Sequence, residues 1–261
     1  MQRLWAIALA LALAACGAGR VDRTTEPPAK GPDGFDGQLA VEMAETLVKA
    51  GAYENAVPMI ERALRENPQD GRLHYLKGIM LRDRGVYAEA ERSFALALKL
   101  HPDLAPAHGA MGVLFDLQGR HEAALPFHRK AIELDPEVPR YHNNLGFSRY
   151  LAGHPEEAEL AYREGLRLDP TAARLYVNLG FALAALGRED EARRMFRQVL
   201  PEGAARNNLA LARELRGDRE AARRMYQEAL RDSPSLPQAQ ANLAALEPAL
   251  PEAPEDAEEK R

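Results

Sequence analysis

Small and large apolar positions recur along this chain at a fixed step. Ala56, Ala90, Ala124, Ala158 and Ala192 stand 34 residues apart, and Ala222 follows after 30. Four residues further on run Ile60, Phe94, His128, Tyr162, Phe196 and Tyr226, and three beyond those Ala63, Ala97, Ala131, Gly165, Val199 and Ala229. A fourth column, Ala44, Gly78, Gly112, Gly146, Gly180 and Ala210, precedes the alanines by 12 residues. Steps of four and three keep such positions on one helix face. Antiparallel helices approach closely only where one presents Ala or Gly, and a nearby large side chain then fills the groove. The punctuation keeps the same step. Gly51, Gly85, Gly119, Gly153 and Gly187 recur every 34 residues, with Gly217 after 30, and Pro68, Pro102, Pro136 and Pro170 share the 34-residue step. Glycine can end a helix in a left-handed cap, and proline cannot continue one. A period of this length predicts stacked helical hairpins, a solenoid whose units bury their apolar faces against their neighbours.

The pattern between residues 37 and 247 resembles the tetratricopeptide repeat, a helix–turn–helix unit of 34 residues. The resemblance implies an all-α superhelical solenoid of about six repeats (37–70, 71–104, 105–138, 139–172, 173–202 and 203–236) with a capping helix over 237–247, the solenoid as a whole spanning 38–247. Numbering each unit so that its closing proline is position 32 puts the glycine cap at position 15. Some residues depart from the pattern. Lys77 stands at the usually apolar position 7, His128 replaces an aromatic at position 24, and Pro58 and Pro126 fall inside second helices. Proline in the second turn removes one backbone bond, so a kink rather than a break is expected. Near Pro201 the period loses four residues, close to one helical turn, which leaves the buried faces correctly aimed.

The two ends follow different rules. Arg3 precedes a 12-residue apolar run, Leu4 to Ala15, too short for a permanent span but suited to a signal peptide over 1–15. The chain's one cysteine, Cys16, follows in Leu13-Ala14-Ala15-Cys16-Gly17, which resembles the lipobox of bacterial lipoproteins. That resemblance implies lipidation at Cys16, acyl anchoring, and, with Gly17 rather than Asp after it, an outer-membrane location facing the periplasm. Residues 16–37 would then be a lipidated N-terminus and Gly/Pro/charge-rich tether, with a reach of roughly 25 Å. Residues 248–261 form a Pro/Glu-rich tail expected to lack stable structure.

Composition narrows the function. A net charge of −5 argues against a nucleic-acid binder. Nucleophile–base patterns, phosphate loops and zinc spacings are missing from the sequence, so no catalytic residue, cofactor or metal is expected, and the chain is not expected to be an enzyme.

Position 6 carries Asn144, Asn178, Asn208 and Asn242, spaced 34, 30 and 34 residues apart. First helices line the groove in this family, where a column of amides can pair with the backbone of an extended peptide. Arg140, Arg174, Phe147, Phe181 and Tyr150 lie at helical steps from these amides and would suit a partner with apolar side chains and carboxylates. His74, His108 and His142 share position 4, but equivalent positions in successive repeats point in parallel, which does not suit a metal site. Tyr176 at the next position 4 suggests an aromatic packing slot. His121 is expected in a turn and His128 in the core. The expected function is an outer-membrane-anchored scaffold binding protein or peptide partners in a periplasmic assembly. Lipobox, tether and six repeats together resemble lipoproteins of tight-adherence pilus assembly. Alternatives are a pilotin for a secretin ring and an adaptor that tethers cell-wall enzymes.

Overall fold

The computed structural model describes residues 37–246, and the expected signal peptide, Cys16, tether and acidic tail lie outside them. The described residues form helices alone, in the order α1 (Gly37–Lys49), α2 (Tyr53–Glu66), α3 (Gly71–Asp83), α4 (Tyr87–Leu100), α5 (Ala105–Leu117), α6 (His121–Leu134), α7 (Pro139–Leu151), α8 (Pro155–Leu168), α9 (Ala173–Ala185), α10 (Glu189–Arg197), α11 (Glu202–Leu215), α12 (Arg219–Asp232) and α13 (Pro237–Leu246). The chain divides into two compact units between Asn178 and Leu179.

Each repeat is locked by the small–large contact that its sequence announces. The six alanines at position 20 are 0% exposed, and the position-24 side chains are 0–1% exposed. A Cβ on Gly78 would come within 2.5 Å of the Phe94 ring, and one on Gly146 within 2.6 Å of Tyr162. In the second unit, a Cβ on Gly180 would come within 2.5 Å of Phe196. Glycine at these sites is therefore a packing requirement, since the ring occupies the space that a methyl would take.

The glycine caps have φ between 71° and 90°. At the first of them, the amide of Ala52 donates to Leu47 O at 2.9 Å and that of Gly51 to Val48 O at 3.1 Å. This is a Schellman arrangement, and it satisfies carbonyls that the helix end would otherwise orphan. The same pair of bonds closes the other first helices. Second helices end two residues before each closing proline, and the residue between leaves the helical region because proline disfavours a helical predecessor. Pro58 and Pro126 are both the sixth residue of their helices, and neither helix ends there. Both prolines face solvent, so no buried carbonyl is stranded.

The lost turn near Pro201 is taken from a second helix. α10 has 9 residues where the other second helices have 14. α11 has 14 residues, against 13 in the first helices of the earlier repeats, and starts directly after Pro201.

Candidate functional site

In the first unit α1 packs on α3, α3 on α5 and α5 on α7, whereas successive second helices make no comparable contact. First helices therefore lie closer together, and their shared face is the inner one. In the second unit α11 packs on α13 in the same way.

Two of the predicted amides are already bonded across this face. Asn178 Nδ2 donates to Asn143 Oδ1 at 2.9 Å in the first unit. In the second, Asn242 Nδ2 donates to Asn207 Oδ1 at 3.1 Å. Each bond joins position 6 of one repeat to position 5 of the repeat before. Asn143 and Asn207 were not expected from the sequence as site residues, although Asn-Asn at 143–144 and again at 207–208 was a visible signal. Asn207 Nδ2 also donates to Asn208 Oδ1 at 3.4 Å. Asn144 is half-buried, and its amide bonds to none of the described residues. It keeps two donors and an acceptor for a partner.

Around Asn144 the helix α7 presents Arg140, exposed, and Phe147 and Tyr150, both half-buried. The Arg140 guanidinium lies over the Tyr141 ring, 5.4 Å from its centroid. Burial pushes the Tyr150 phenol up, so it stays a neutral donor. Arg174 is exposed, and neither it nor Arg140 has a carboxylate within ion-pair distance among the described residues. Phe181 corrects the expectation. It is 2% exposed and its ring meets Phe196 edge-on at 5.1 Å, so it belongs to the core of the second unit and is not available to a partner.

The position-4 column has a different role from the one expected. His74, His108 and His142 each place Nε2 2.9–3.0 Å from the carbonyl of the proline six residues before: Pro68, Pro102 and Pro136. A carbonyl only accepts, so each ring carries its proton on Nε2. The Tyr176 hydroxyl donates to Pro170 O at 3.2 Å, and Gln240 Nε2 to Pro234 O at 3.1 Å. The slot is thus a hydrogen-bond clasp on the turn, and at His108 the ring also packs against Phe127, with centroids 6.2 Å apart. At the register break Arg206 stands at position 4, with no proline six residues before it. It pairs with Glu202 at 3.3 Å, Glu228 at 3.0 Å and Asp232 at 3.2 Å.

A buried polar cluster in the first unit was not expected from the sequence beyond the placing of His128 in the core. Asp116 is 8% exposed. Its carboxylate accepts from His121 Nδ1 at 3.0 Å, from the fully buried His128 Nε2 at 2.9 Å, and from Ser148 Oγ at 2.5 Å. Burial alone would raise the Asp116 carboxyl, but the bonds from His121, His128 and Ser148 outweigh it and hold the group below the ordinary carboxylate range. Ser148 donates to the acid itself, so its hydroxyl proton is not directed at an imidazole base. It ties α5 and α6 of one repeat to α7 of the next. His121, expected in a turn, is the first residue of α6.

The tetratricopeptide-repeat family matches residues 41–105 and 81–139, then 149–215 and 203–228. The chain belongs to this family. No curated relative matches the sequence. Among solved tetratricopeptide structures, pilF of Pseudomonas aeruginosa is 18% identical with a TM-score of 0.63, over 80% of this chain and 97% of that one. MamA from Desulfovibrio magneticus is 22% identical with a TM-score of 0.56, over 67% and 98%. YrrB, described as a TPR protein with an unusual peptide-binding site, is 21% identical with a TM-score of 0.55, over 70% and 96%. At these identities the likeness establishes the all-α tetratricopeptide fold. Repeats of this kind are typically non-catalytic interaction scaffolds, and no enzyme family is indicated.

Proposed function

We propose that this chain is an exported, lipid-anchored tetratricopeptide scaffold whose inner face holds an extended segment of a protein partner in a periplasmic assembly. The observation that carries the peptide reading is Asn144, an unpaired amide between exposed Arg140 and half-buried Phe147 on the inner face. An amide there can pair with a partner's backbone whatever its side chains, while Arg140 and Arg174 favour carboxylates beside the amide contact. The anchor rests on Cys16 and the apolar run before it. Lipobox, short tether and six repeats together favour an outer-membrane role in pilus or secretion-system biogenesis. pilF of P. aeruginosa shares the fold, which by itself does not fix a function.

Fractionation of Cys16→Ser tests the anchor: the variant moves from the membrane to the soluble fraction. A variant that stays with the membrane removes the lipid anchor from this account.

A further inference from the structure

Lys77 departs from the repeat, and its exposed ammonium serves neither the core nor the inner face. Position 7 reads Met43, Lys77, Met111, Leu145, Leu179 and Leu209, so only the second repeat puts a charge there. Position 23, on the second helix of each hairpin, departs in the same repeat: Met59, Ser93, Phe127, Ala161, Met195 and Met225. Between α3 and α4 these two changes border a recess of about 310 Å³, with Lys77 and Leu81 on one side and Arg92, Ser93 and Leu96 on the other. Two residues turn a helix through about 200°, so Lys77 and Leu81 point away from Ile79, the counterpart of Phe147 on the inner face. The recess is therefore a second surface, behind α3.

The third repeat shows what fills this space. There Phe127 occupies position 23, and its ring packs 6.2 Å from His108 and edge-on 5.3 Å from Phe115. The counterparts of those two residues, His74 and Leu81, line the recess of the second repeat, where Ser93 is too short to cover them. A gap the size of a phenyl ring is left. Ser93 is 8% exposed, and its hydroxyl bonds to none of the described residues. A polar group held this far from water costs free energy until an acceptor reaches it. Lys77 has no carboxylate within ion-pair distance among the described residues. Arg92 meets Glu89 at 3.9 Å on the open surface, a pair that ties it weakly.

We propose that this recess receives an aromatic side chain from a segment of a partner protein, with an adjacent Asp or Glu carboxylate paired to Lys77 and Arg92. The ring takes the place that Phe127 fills in the third repeat, and a carbonyl beside it accepts from Ser93 Oγ. A segment suits this site better than a free ligand, because Lys77, Glu89, Arg92 and Leu96 are all exposed and cannot enclose a small molecule. The surface is distinct from the inner face, so the inference stands independently of the peptide reading of Asn144.

The test is fluorescence anisotropy of labelled peptides titrated with the full-length protein. The probe is Ala-Asp-Phe-Asp-Ala, and two controls replace its Phe by Ala or both Asp by Asn. Loss of the ring should weaken binding about tenfold or more, and loss of the carboxylates about threefold. Ser93→Phe fills the gap from within, as Phe127 does, and should weaken the probe about tenfold or more. Should that variant lose helicity, Ser93→Met, the residue of the first, fifth and sixth repeats, takes its place with the same direction of effect. Lys77→Met copies Met111 and should bring the acidic probe to the level of the Asn control while leaving that control unchanged. Asn144→Ala should leave probe binding as in the wild type, which keeps this result separate from the inner-face reading. No binding of the probe to the wild type, or equal binding to wild type and the filled variant, overturns the proposal. So does competition by N-acetylphenylalanine as strong as that of the unlabelled peptide, which would assign the recess to a free aromatic acid instead.

Discussion

In the first unit, the turn after each second helix is held by a ring nitrogen or hydroxyl that donates to a proline carbonyl: His74, His108, His142 and then Tyr176. In the second unit, at the shortened α10, the same position is Arg206, held by Glu202, Glu228 and Asp232. At the lost turn Pro201 lies five residues before Arg206 instead of six, and its carbonyl accepts from the Ala205 amide at 2.9 Å. An ion-pair network took over the junction. The comparison extends inward. Behind the position-8 glycine the first unit has, at Gly112, an imidazole bonded to a buried acid, while the second has Phe196 behind Gly180 and Phe181 against it. One repeat geometry therefore tolerates a polar or an apolar plug, provided that a polar plug is fully partnered.

The largest expected effect comes from removing that partner. Asp116→Ala strands buried donors on His128 and Ser148 and should cost about 3 kcal/mol, read by hydrogen exchange of α5–α7. A loss confined to a few tenths of a kcal/mol would mean that the cluster is solvated and carries little. The same acid gives the first unit a pH dependence. Its folded pKa lies below an unfolded value of about 3.9, so its contribution is complete above that value and is lost as pH falls through the folded one. Asp116→Asn should flatten the acid limb of the unfolding curve.

Exchanging the plugs sharpens the comparison. His128→Phe restores the aromatic found at position 24 elsewhere, yet should destabilise by about 1–3 kcal/mol because Asp116 loses a buried donor. Phe196→His should destabilise comparably, because it puts an imidazole where no acid waits. Thermal melts of both variants check this; a neutral His128→Phe would show that the imidazole is only filler. Smaller again is the clasp. His108→Phe keeps the ring but removes the bond to Pro102 O, for about 0.5–1.5 kcal/mol in chemical denaturation.

The solenoid was written plainly into the chain because its determinants are local and repeated. Gly51, Ala56 and Ile60 each announce a role within one hairpin, and five further copies repeat the message. The clasp was half-legible: prolines and histidines share one step, but a hydrogen bond needs the turn geometry to bring residues six apart together. Asp116 was not legible. It and Ser148 are lone residues, 32 apart, in columns with no repeated polar identity. The available hint was His128, a polar ring in a slot that is buried everywhere else and therefore owes a partner. Phe181 misled because position 9 faces the partner side by spacing, while the neighbouring Phe196 draws its ring into the core. The amide column was legible as a column, but its internal bonds were not. Asn178 is committed to Asn143, so substituting it disturbs the junction as well as the face.

Asn144 is therefore the cleanest probe of the central claim, that the inner face holds a peptide segment of a partner. The decisive measurement is the amount of partner recovered after crosslinking in native cells with the wild type, Asn144→Ala and Leu160→Ala, the last altering a side chain 68% exposed away from that face. Asn144→Ala is expected to lose about tenfold of the recovered partner, in keeping with loss of paired amide contacts. Leu160→Ala should recover as much as wild type, and all three should keep the same helicity by circular dichroism. Recovery undiminished by Asn144→Ala would contradict the account.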